Sequence, residues 1–430
     1  MELPVYVPMI LFLVLLALGM PIGLALGVTG ALGVATTFGF DAMLGVLQTT
    51  PFRTSASALL STIPLFILMA ELLARGSVVR DVFRLAYTCM GHLKGGLALA
   101  AVMANVGFAA LAGSSTAAAA AMSKISVPEM RRYGYDDRLS LGTVAVAGTL
   151  AIMIPPSLGF ILYGILTENS IGKLFLAGII PGIITAIAYC ATIYVWVSRN
   201  PGIAPKVQPF PMAERFAAMK PVWPAGILIF IVIGGIYSGA ITATEAAAVG
   251  AGGALIISVI WGGLRWTGIT ESLQATTRAT AMIFTIIIGA MIFGYFMAAT
   301  QVPQHLVEWV GELPLPRWGI LLIIVVIYLI LGFFMDQIAI VVLTLPLTYP
   351  LILSLGYDPI WFGVIIVKTT EIGLVTPPMG LNVFVAAGSV GARIETGFKG
   401  IMPFLIAEAI VLAMLIVIPE LSLWIPNNLD

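Results

Sequence analysis

The chain has 430 residues, of which 60% are hydrophobic and 9% charged, and its formal net charge is zero. That balance excludes a soluble domain and offers no electrostatic case for a nucleic-acid partner; it describes a polytopic membrane protein embedded in a lipid bilayer. The apolar stretches are long and continuous rather than alternating in about ten-residue segments, so the expected class is all-α and not a barrel.

The first apolar runs, Val5 to Leu18 and Pro21 to Phe38, are split by Gly19-Met20-Pro21, which reads as a tight turn or kink. No positive segment precedes them, so the first run reads as a retained span and not a cleaved signal. Residues 41–60, with Arg53, read as an interfacial stretch, and Ile63 to Ala74 as a third span. Residues 75–95 are basic and therefore cytoplasmic.

Next comes the stretch around which the chain is organised. An apolar run, Gly96 to Ala112, leads into Gly113-Ser114-Ser115-Thr116, and a small-residue run, Ala117 to Met122, leads out. Each run falls short of the roughly 20 residues that a helix needs to cross a ~30 Å hydrocarbon layer. Both flanks are basic: Arg75, Arg80, Arg84 and Lys94 before, Lys124, Arg131, Arg132 and Arg138 after. The expectation is a re-entrant hairpin over about 96–127, entered and left on the cytoplasmic side. Non-helical backbone at mid-membrane survives only when buried in protein or lining a wet cavity, which makes Gly113, Ser114, Ser115 and Thr116 candidate solute-binding residues.

A helix over about 139–166 is broken at Pro155-Pro156-Ser157, and Ile171 to Val197 is a full span. The polar, proline-rich segment 199–220 reads as a cytoplasmic linker. The second half repeats the plan, with spans near 222–237, 244–261 and 279–299. A second hairpin over about 318–350 has Asp336-Gln337 at its tip. A helix over about 360–389 is broken at Thr376-Pro377-Pro378, and a last span covers 397–418. A shift of 222 positions brings Pro128 onto Pro350, Gly134-Tyr135-Asp136 onto Gly356-Tyr357-Asp358, and Pro155-Pro156 onto Pro377-Pro378. It also brings Gly178 onto Gly400 and Pro181 onto Pro403, without a gap. This is an internal duplication. The second hairpin lacks basic residues between Met335 and Pro359, so it is expected to enter from the other face. Two inverted-topology repeats, 1–198 and 221–430 joined by 199–220, are a construction typical of secondary transporters.

Four breaks, two hairpin tips and two proline pairs, would then converge. Helix N-termini there favour anionic groups, and C-terminal carbonyls favour cations. Ser114, Ser115, Thr116, Ser157, Thr376 and Asn382 add neutral oxygens, and no Lys or Arg sits at either break. The pattern fits an anionic or polar solute and a small hard cation such as sodium, with nothing for a transition metal. Each feature also has a plain structural reading. Membrane Ser and Thr bond back to a carbonyl one turn earlier, and Ala117 to Ala121 serve close packing. Asp336 is either a functional acid or a helix cap. Glu371 is either a proton carrier or the partner of Lys368. Glu245 and the Tyr-Asp pairs at 135/136 and 357/358 read as helix starts. Cys89 and Cys190 cannot form a disulfide framework, and His92 and His305 are too separated for a metal site.

These residues resemble a known family. Gly113-Ser114-Ser115 with Ala117, Pro128-Glu129-Met130, Gly134-Tyr135 and Ile154-Pro155-Pro156-Ser157 carry the resemblance. So do Leu174-Phe175 with Gly178 and Pro181-Gly182, Thr244 to Gly250, Met335-Asp336, and Thr376-Pro377-Pro378 with Gly380. Over essentially its whole length the chain is similar to the large membrane subunit of tripartite ATP-independent periplasmic (TRAP) transporters. The resemblance implies an elevator-type importer in a bacterial inner membrane, driven by a sodium gradient and commonly moving organic acid anions delivered by a periplasmic solute-binding receptor. It implies a small membrane subunit of about four spans, expected here as a separate chain. By the same resemblance, sodium would lie where each tip meets its proline break: Ser114 and Ser115 with Pro155 and Ser157, and Asp336 with Thr376 and Pro378. Sodium would be the coupling ion, with no other cofactor. A proton-coupled carrier of the same fold and a channel are the alternatives. No enzyme is expected, because no Ser–His or paired-acid constellation is evident.

Overall fold

A computed structural model of the chain describes residues 3–428, which are helical with no strand among them. Seven helices among the described residues are long and apolar enough to cross a membrane, and one bent pair brings the number to eight. Large apolar side chains such as Phe230, Trp266, Ile187 and Ile406 point outward, which lipid tails tolerate as readily as a protein core does.

Helices α1 (Leu3–Ala17) and α2 (Ile22–Phe38) meet at a turn where Gly19 takes φ 81°, so the expected tight turn is present. The stretch read as interfacial is α3 (Phe40–Ser55) followed by a short 3-10 turn, and it leads into α4 (Thr62–Arg75) and α5 (Val78–Met90). Then come α6 (Gly96–Ala112) and α7 (Ser115–Arg132), joined by two residues. At their other end the backbone N–H of Leu97 donates to the Tyr135 hydroxyl at 3.3 Å, so the two run antiparallel as a hairpin.

The second arm of this hairpin is longer than the sequence pattern led us to expect. α7 has 18 residues, about 27 Å at 1.5 Å per residue, and continues past Met122 through polar Ser123 and Ser126. Those two serines are buried, and Ser126 returns its hydroxyl to the Met122 carbonyl at 2.7 Å, so polarity here does not end the helix.

The first broken helix comprises α8 (Asp137–Ala147), α9 (Leu150–Met153) and α10 (Leu158–Thr167), interrupted at Gly148-Thr149 as well as at the prolines. α11 (Ile171–Arg199) follows. The linker holds α12 (Met212–Met219), and it docks on the hairpin base. The Asp136 N–H donates to the Ile203 carbonyl at 2.9 Å, and the Phe210 and Tyr87 rings meet edge-on at 5.0 Å.

The second half comprises α13 (Trp223–Tyr237), α14 (Ala243–Ile260) and α15 (Trp266–Ala299). α15 starts well before the expected Ala279 because its polar first turns lie at the surface, where Glu271 pairs with Arg75 at 2.6 Å. α16 (Val302–Gly311) leads to the second hairpin, α17 (Arg317–Gly332) and α18 (Gln337–Ser354). The second broken helix is α19 (Pro359–Val375) and α20 (Leu381–Ser389), and α21 (Ile394–Val417) and α22 (Glu420–Asn428) finish the chain. α7 and α18 are offset by 222 residues at both ends, Ser115 to Gln337 and Arg132 to Ser354. Arg317 lies 5.5 Å over the Tyr357 ring, so the second hairpin is closed at its base by the tyrosine equivalent to Tyr135.

Each broken helix starts at the base of its own hairpin and ends at the base of the other. At the end of α10, Tyr163 donates to the Pro359 carbonyl at 2.6 Å, and Asn169 donates to Tyr349 at 2.9 Å. Past the end of α20, the Val390 carbonyl accepts from Arg131 at 3.4 Å. The two bases are therefore at opposite ends of the molecule. Segments 75–94, 124–138, 199–220, 262–278 and 390–399 are stitched together at the first base. The bonds include Ser77 N–H to the Gly262 carbonyl at 3.1 Å. Apart from Arg53, Lys173, Arg317 and Lys368, every Lys and Arg lies on these segments, so basic residues concentrate at the first base.

Backbones touch where small residues face one another. A Cβ on Gly142 of α8 would lie 2.4 Å from Gly400 of α21, and one on Gly289 of α15 would lie 2.0 Å from the Gly23 carbonyl of α2. α19 is buried along its whole length, so the broken helices form the centre.

Candidate functional site

The site is assembled from helix ends. α7 begins at Ser115 behind Ser114, whose hydroxyl makes no capping bond and lies 3.4 Å from the Thr116 hydroxyl. α18 begins at Gln337 behind Asp336, which accepts the Ala339 N–H at 3.0 Å, the cap geometry a carboxylate favours. α10 begins behind Ser157, which accepts the Phe160 N–H at 3.3 Å and donates to the Ile152 carbonyl at 2.5 Å. α20 begins behind Gly380, held at φ 53°. Both Pro155-Pro156 and Pro377-Pro378 peptides are cis.

These four N-termini meet at one cavity of about 490 Å³. Gly113 to Ala117 of the first tip, Asp336 to Ile338 of the second, Ile152 and Leu158 beside the first break, and Leu374 and Leu381 beside the second all line it. The opposite wall is α4 at Ile67, Ala70 and Glu71 and α15 at Ala279, Met282 and Ile283. Four convergent N-termini aim partial positive charge at the cavity, whose wall also holds the carboxyl groups of Glu71 and Asp336 and no Lys or Arg. A larger cavity, about 1180 Å³, lies toward the other end beside Arg53, Asn169 and Tyr349. We place the site at the smaller one because both tips line it.

The halves interlock there. α10 packs against α18, and α20 packs against α7. Asn382 of α20 donates from Nδ2 to Ser115 Oγ at 2.5 Å and to the Ala145 carbonyl at 3.2 Å, and its Oδ1 is buried without a partner. Across the pseudo-symmetric contact Gln337 Nε2 is likewise buried and unpartnered. It crowds Gly159 so closely that a Cβ there would lie 2.2 Å away.

Of the residues singled out from sequence, Gly113, Ser114, Ser115, Thr116 and Asp336 line the cavity, and Asn382 reaches it through Ser115. Pro155, Ser157, Thr376 and Pro378 are not in the wall; they shape the helix ends behind it. Thr376 spends its proton on the Ile372 carbonyl at 2.5 Å, the plain reading for a membrane threonine. The breaks also differ in exposure, since Pro155 and Pro156 are buried while Pro377 and Pro378 are exposed. Gln337, placed at the second tip by the 222-residue shift, lines the cavity as well, whereas the sequence reading gave Glu71 no place in the wall. Among the described residues no cluster of three or more His, Cys, Asp or Glu could hold a metal ion. The oxygens present, with Asn382 Oδ1 left unpartnered, fit a small hard cation.

Residues 9–421 match the family described as "Tripartite ATP-independent periplasmic transporter, DctM component". The chain belongs to this family. It is 39% identical over 407 residues to the C4-dicarboxylate TRAP transporter large permease protein DctM of Pseudomonas aeruginosa, covering 94% of each chain. It is 31% identical over 423 residues to the sialic acid TRAP transporter large permease protein SiaM of Vibrio cholerae, covering 96% of each. It is 36% identical over 410 residues to the isethionate TRAP transporter permease protein DctMQ of Oleidesulfovibrio alaskensis, covering 94% of this chain and 63% of that one. In fold it is similar to the YdaH transporter of Alcanivorax borkumensis, at TM-score 0.59 and 14% identity over 98% of both chains. It is also similar to MtrF of Neisseria gonorrhoeae, at TM-score 0.60 and 13% identity over 90% of this chain and 85% of that one. The chain is thus a TRAP large permease subunit, a multi-pass membrane transporter component and not an enzyme.

Proposed function

We propose that this TRAP permease imports a small organic acid anion, coupled to sodium, across a bacterial inner membrane. The observation that carries the reading is the meeting of four helix N-termini at one cavity lined by both hairpin tips and free of Lys and Arg. The helix ends draw a carboxylate while leaving it mobile, with Glu71 in that wall paired to Arg75 and sodium at Asp336 offsetting the second acid. Sodium would be held by neutral oxygens around Ser114, Ser115 and Asn382 in the first half and by Asp336 in the second. Pro155, Ser157, Thr376 and Pro378 set the helix ends that present the carbonyls. The two hairpins, based at opposite ends of the molecule, form the moving part of an elevator as inverted repeats. α2, α4 and α15 form the stationary wall. A periplasmic receptor delivers the solute, and a small membrane subunit completes the assembly. Since the relatives named above are permeases for C4-dicarboxylates, isethionate and sialic acid, a C4-dicarboxylate is the first solute to assay.

The test is uptake into proteoliposomes containing the permease, its small subunit and the cognate receptor. A sodium gradient should drive accumulation without ATP. Full uptake driven by a proton gradient alone would remove sodium from the scheme. Conductance far above carrier turnover would replace the carrier by a channel.

A further inference from the structure

The most deeply buried charges lie away from the tip cavity. Lys368 and Glu371 of α19 and Glu408 of α21 are each 0% exposed. Lys368 Nζ is 2.5 Å from Glu408 Oε2, an ion pair without hydrogen-bond alignment, and it donates to Glu371 Oε2 at 3.2 Å and to Thr185 Oγ1 of α11 at 3.0 Å. Tyr189 of α11 donates to Glu408 Oε1, and its hydroxyl is 3.0 Å from Thr149 Oγ1 in the turn between α8 and α9. Glu371 Oε1 is buried with no partner. The titratable groups acting on one another here are Tyr189 from α11, Lys368 and Glu371 from α19, and Glu408 from α21.

One ammonium thus faces two carboxyl groups, all three fully buried. With both ionised the cluster would carry an uncompensated negative charge, which a low-dielectric site strongly disfavours. A metal cation at Glu371 would be repelled by the ammonium already on the same carboxyl, whereas a proton bonds covalently and cancels the carboxylate's charge. Glu408 is the nearer carboxyl to Lys368: its Oε2 lies 2.5 Å from the ammonium, though without a hydrogen bond, and its Oε1 receives the Tyr189 hydrogen bond, so each oxygen faces a positive charge or a donor. Glu371 Oε1 faces neither the ammonium nor a donor. We propose that Glu371 is a proton-binding site within the membrane, separate from the tip cavity, and that it is held protonated beside an ionised Lys368–Glu408 pair. The proton makes the cluster neutral and lets α19, which ends at the cavity wall beside Leu374, stay buried along its length. This inference stands independently of the choice of solute and coupling ion.

Infrared absorption of the full-length chain in lipid nanodiscs tests it. The wild type should show the deuterium-sensitive carbonyl stretch of a buried carboxylic acid. In Glu371→Gln that stretch should lose one group's intensity while the protein melts within about 2 °C of wild type, because glutamine reproduces a neutral Glu371. In Lys368→Met the stretch should gain intensity, because Glu408 then loses its counter-charge and takes up a proton as well. Unchanged absorption in Glu371→Gln, or failure of that variant to fold, would overturn the proposal. So would wild-type melting raised by sodium chloride over choline chloride with the difference lost in Glu371→Gln, which would put a cation where we place a proton.

Discussion

Asn382 donates to Ser115 at 2.5 Å across 267 positions of sequence, tying the broken helix of the second half to the hairpin tip of the first. Ser115 is 4% exposed and Asn382 is 0% exposed, so neither polar group has water to fall back on. Replacing Ser115 with alanine leaves Asn382 Nδ2 short of an acceptor and removes a tip oxygen. A net hydrogen bond of about 1.4 kcal/mol corresponds to a tenfold change in affinity, so half-maximal uptake should require about ten times more sodium. Sodium titration of uptake, beside an immunoblot showing equal membrane insertion, checks it; unaltered sodium dependence would make the hydroxyl purely structural.

Asp336 both caps α18 and stands in the cavity wall, and one substitution separates the two roles. Asparagine caps a helix about as well as aspartate but carries no charge. Asp336→Asn should therefore melt close to wild type while sodium affinity falls at least about tenfold. Equal sodium affinity would leave capping as its whole contribution.

Gly142 admits no side chain, since a Cβ would lie 2.4 Å from the backbone of Gly400. Gly142→Ala should force α8 and α21 apart and destabilise the protein by about 1–3 kcal/mol. A lowered melting temperature in detergent would show this. The same substitution at Gly226, where nothing lies within 4 Å, is the neutral control.

At the surface, hydrogen bonds from the Arg138 guanidinium outweigh the opposing effect of desolvation and hold the Asp136 carboxyl below its ordinary value of 3.8. A depressed carboxylate stabilises the fold above the unfolded value, and that contribution fades as pH falls through the folded one. Asp136 also caps α8, so Asp136→Ala should cost about 1 kcal/mol near neutral pH. Unfolding curves of the two proteins should stay separated from neutrality down to the ordinary carboxylate value and converge below it.

Local signals were readable from the chain alone. Asp136 and Asp358 cap the helices they were expected to start, and Thr242 with Glu245 forms a full capping box. The pairing of Glu371 with Lys368, one of two readings offered for that acid, is present at 3.2 Å. What stayed hidden is long-range. Glu408 was visible as an acid in an apolar run, but nothing in its neighbourhood names Lys368 as its partner. Likewise no periodicity connects Asn382 with Ser115. The length of α7 was obscured because Ser123 and Ser126 read as polar while the fold buries both.

The contact between Gly142 and Gly400 also has a bearing on biogenesis. The centre of the first half is closed by a helix made near the end of translation, so early spans must wait in the lipid with a small-residue face uncovered. A chain stalled before its last span would present that uncovered face to membrane proteases.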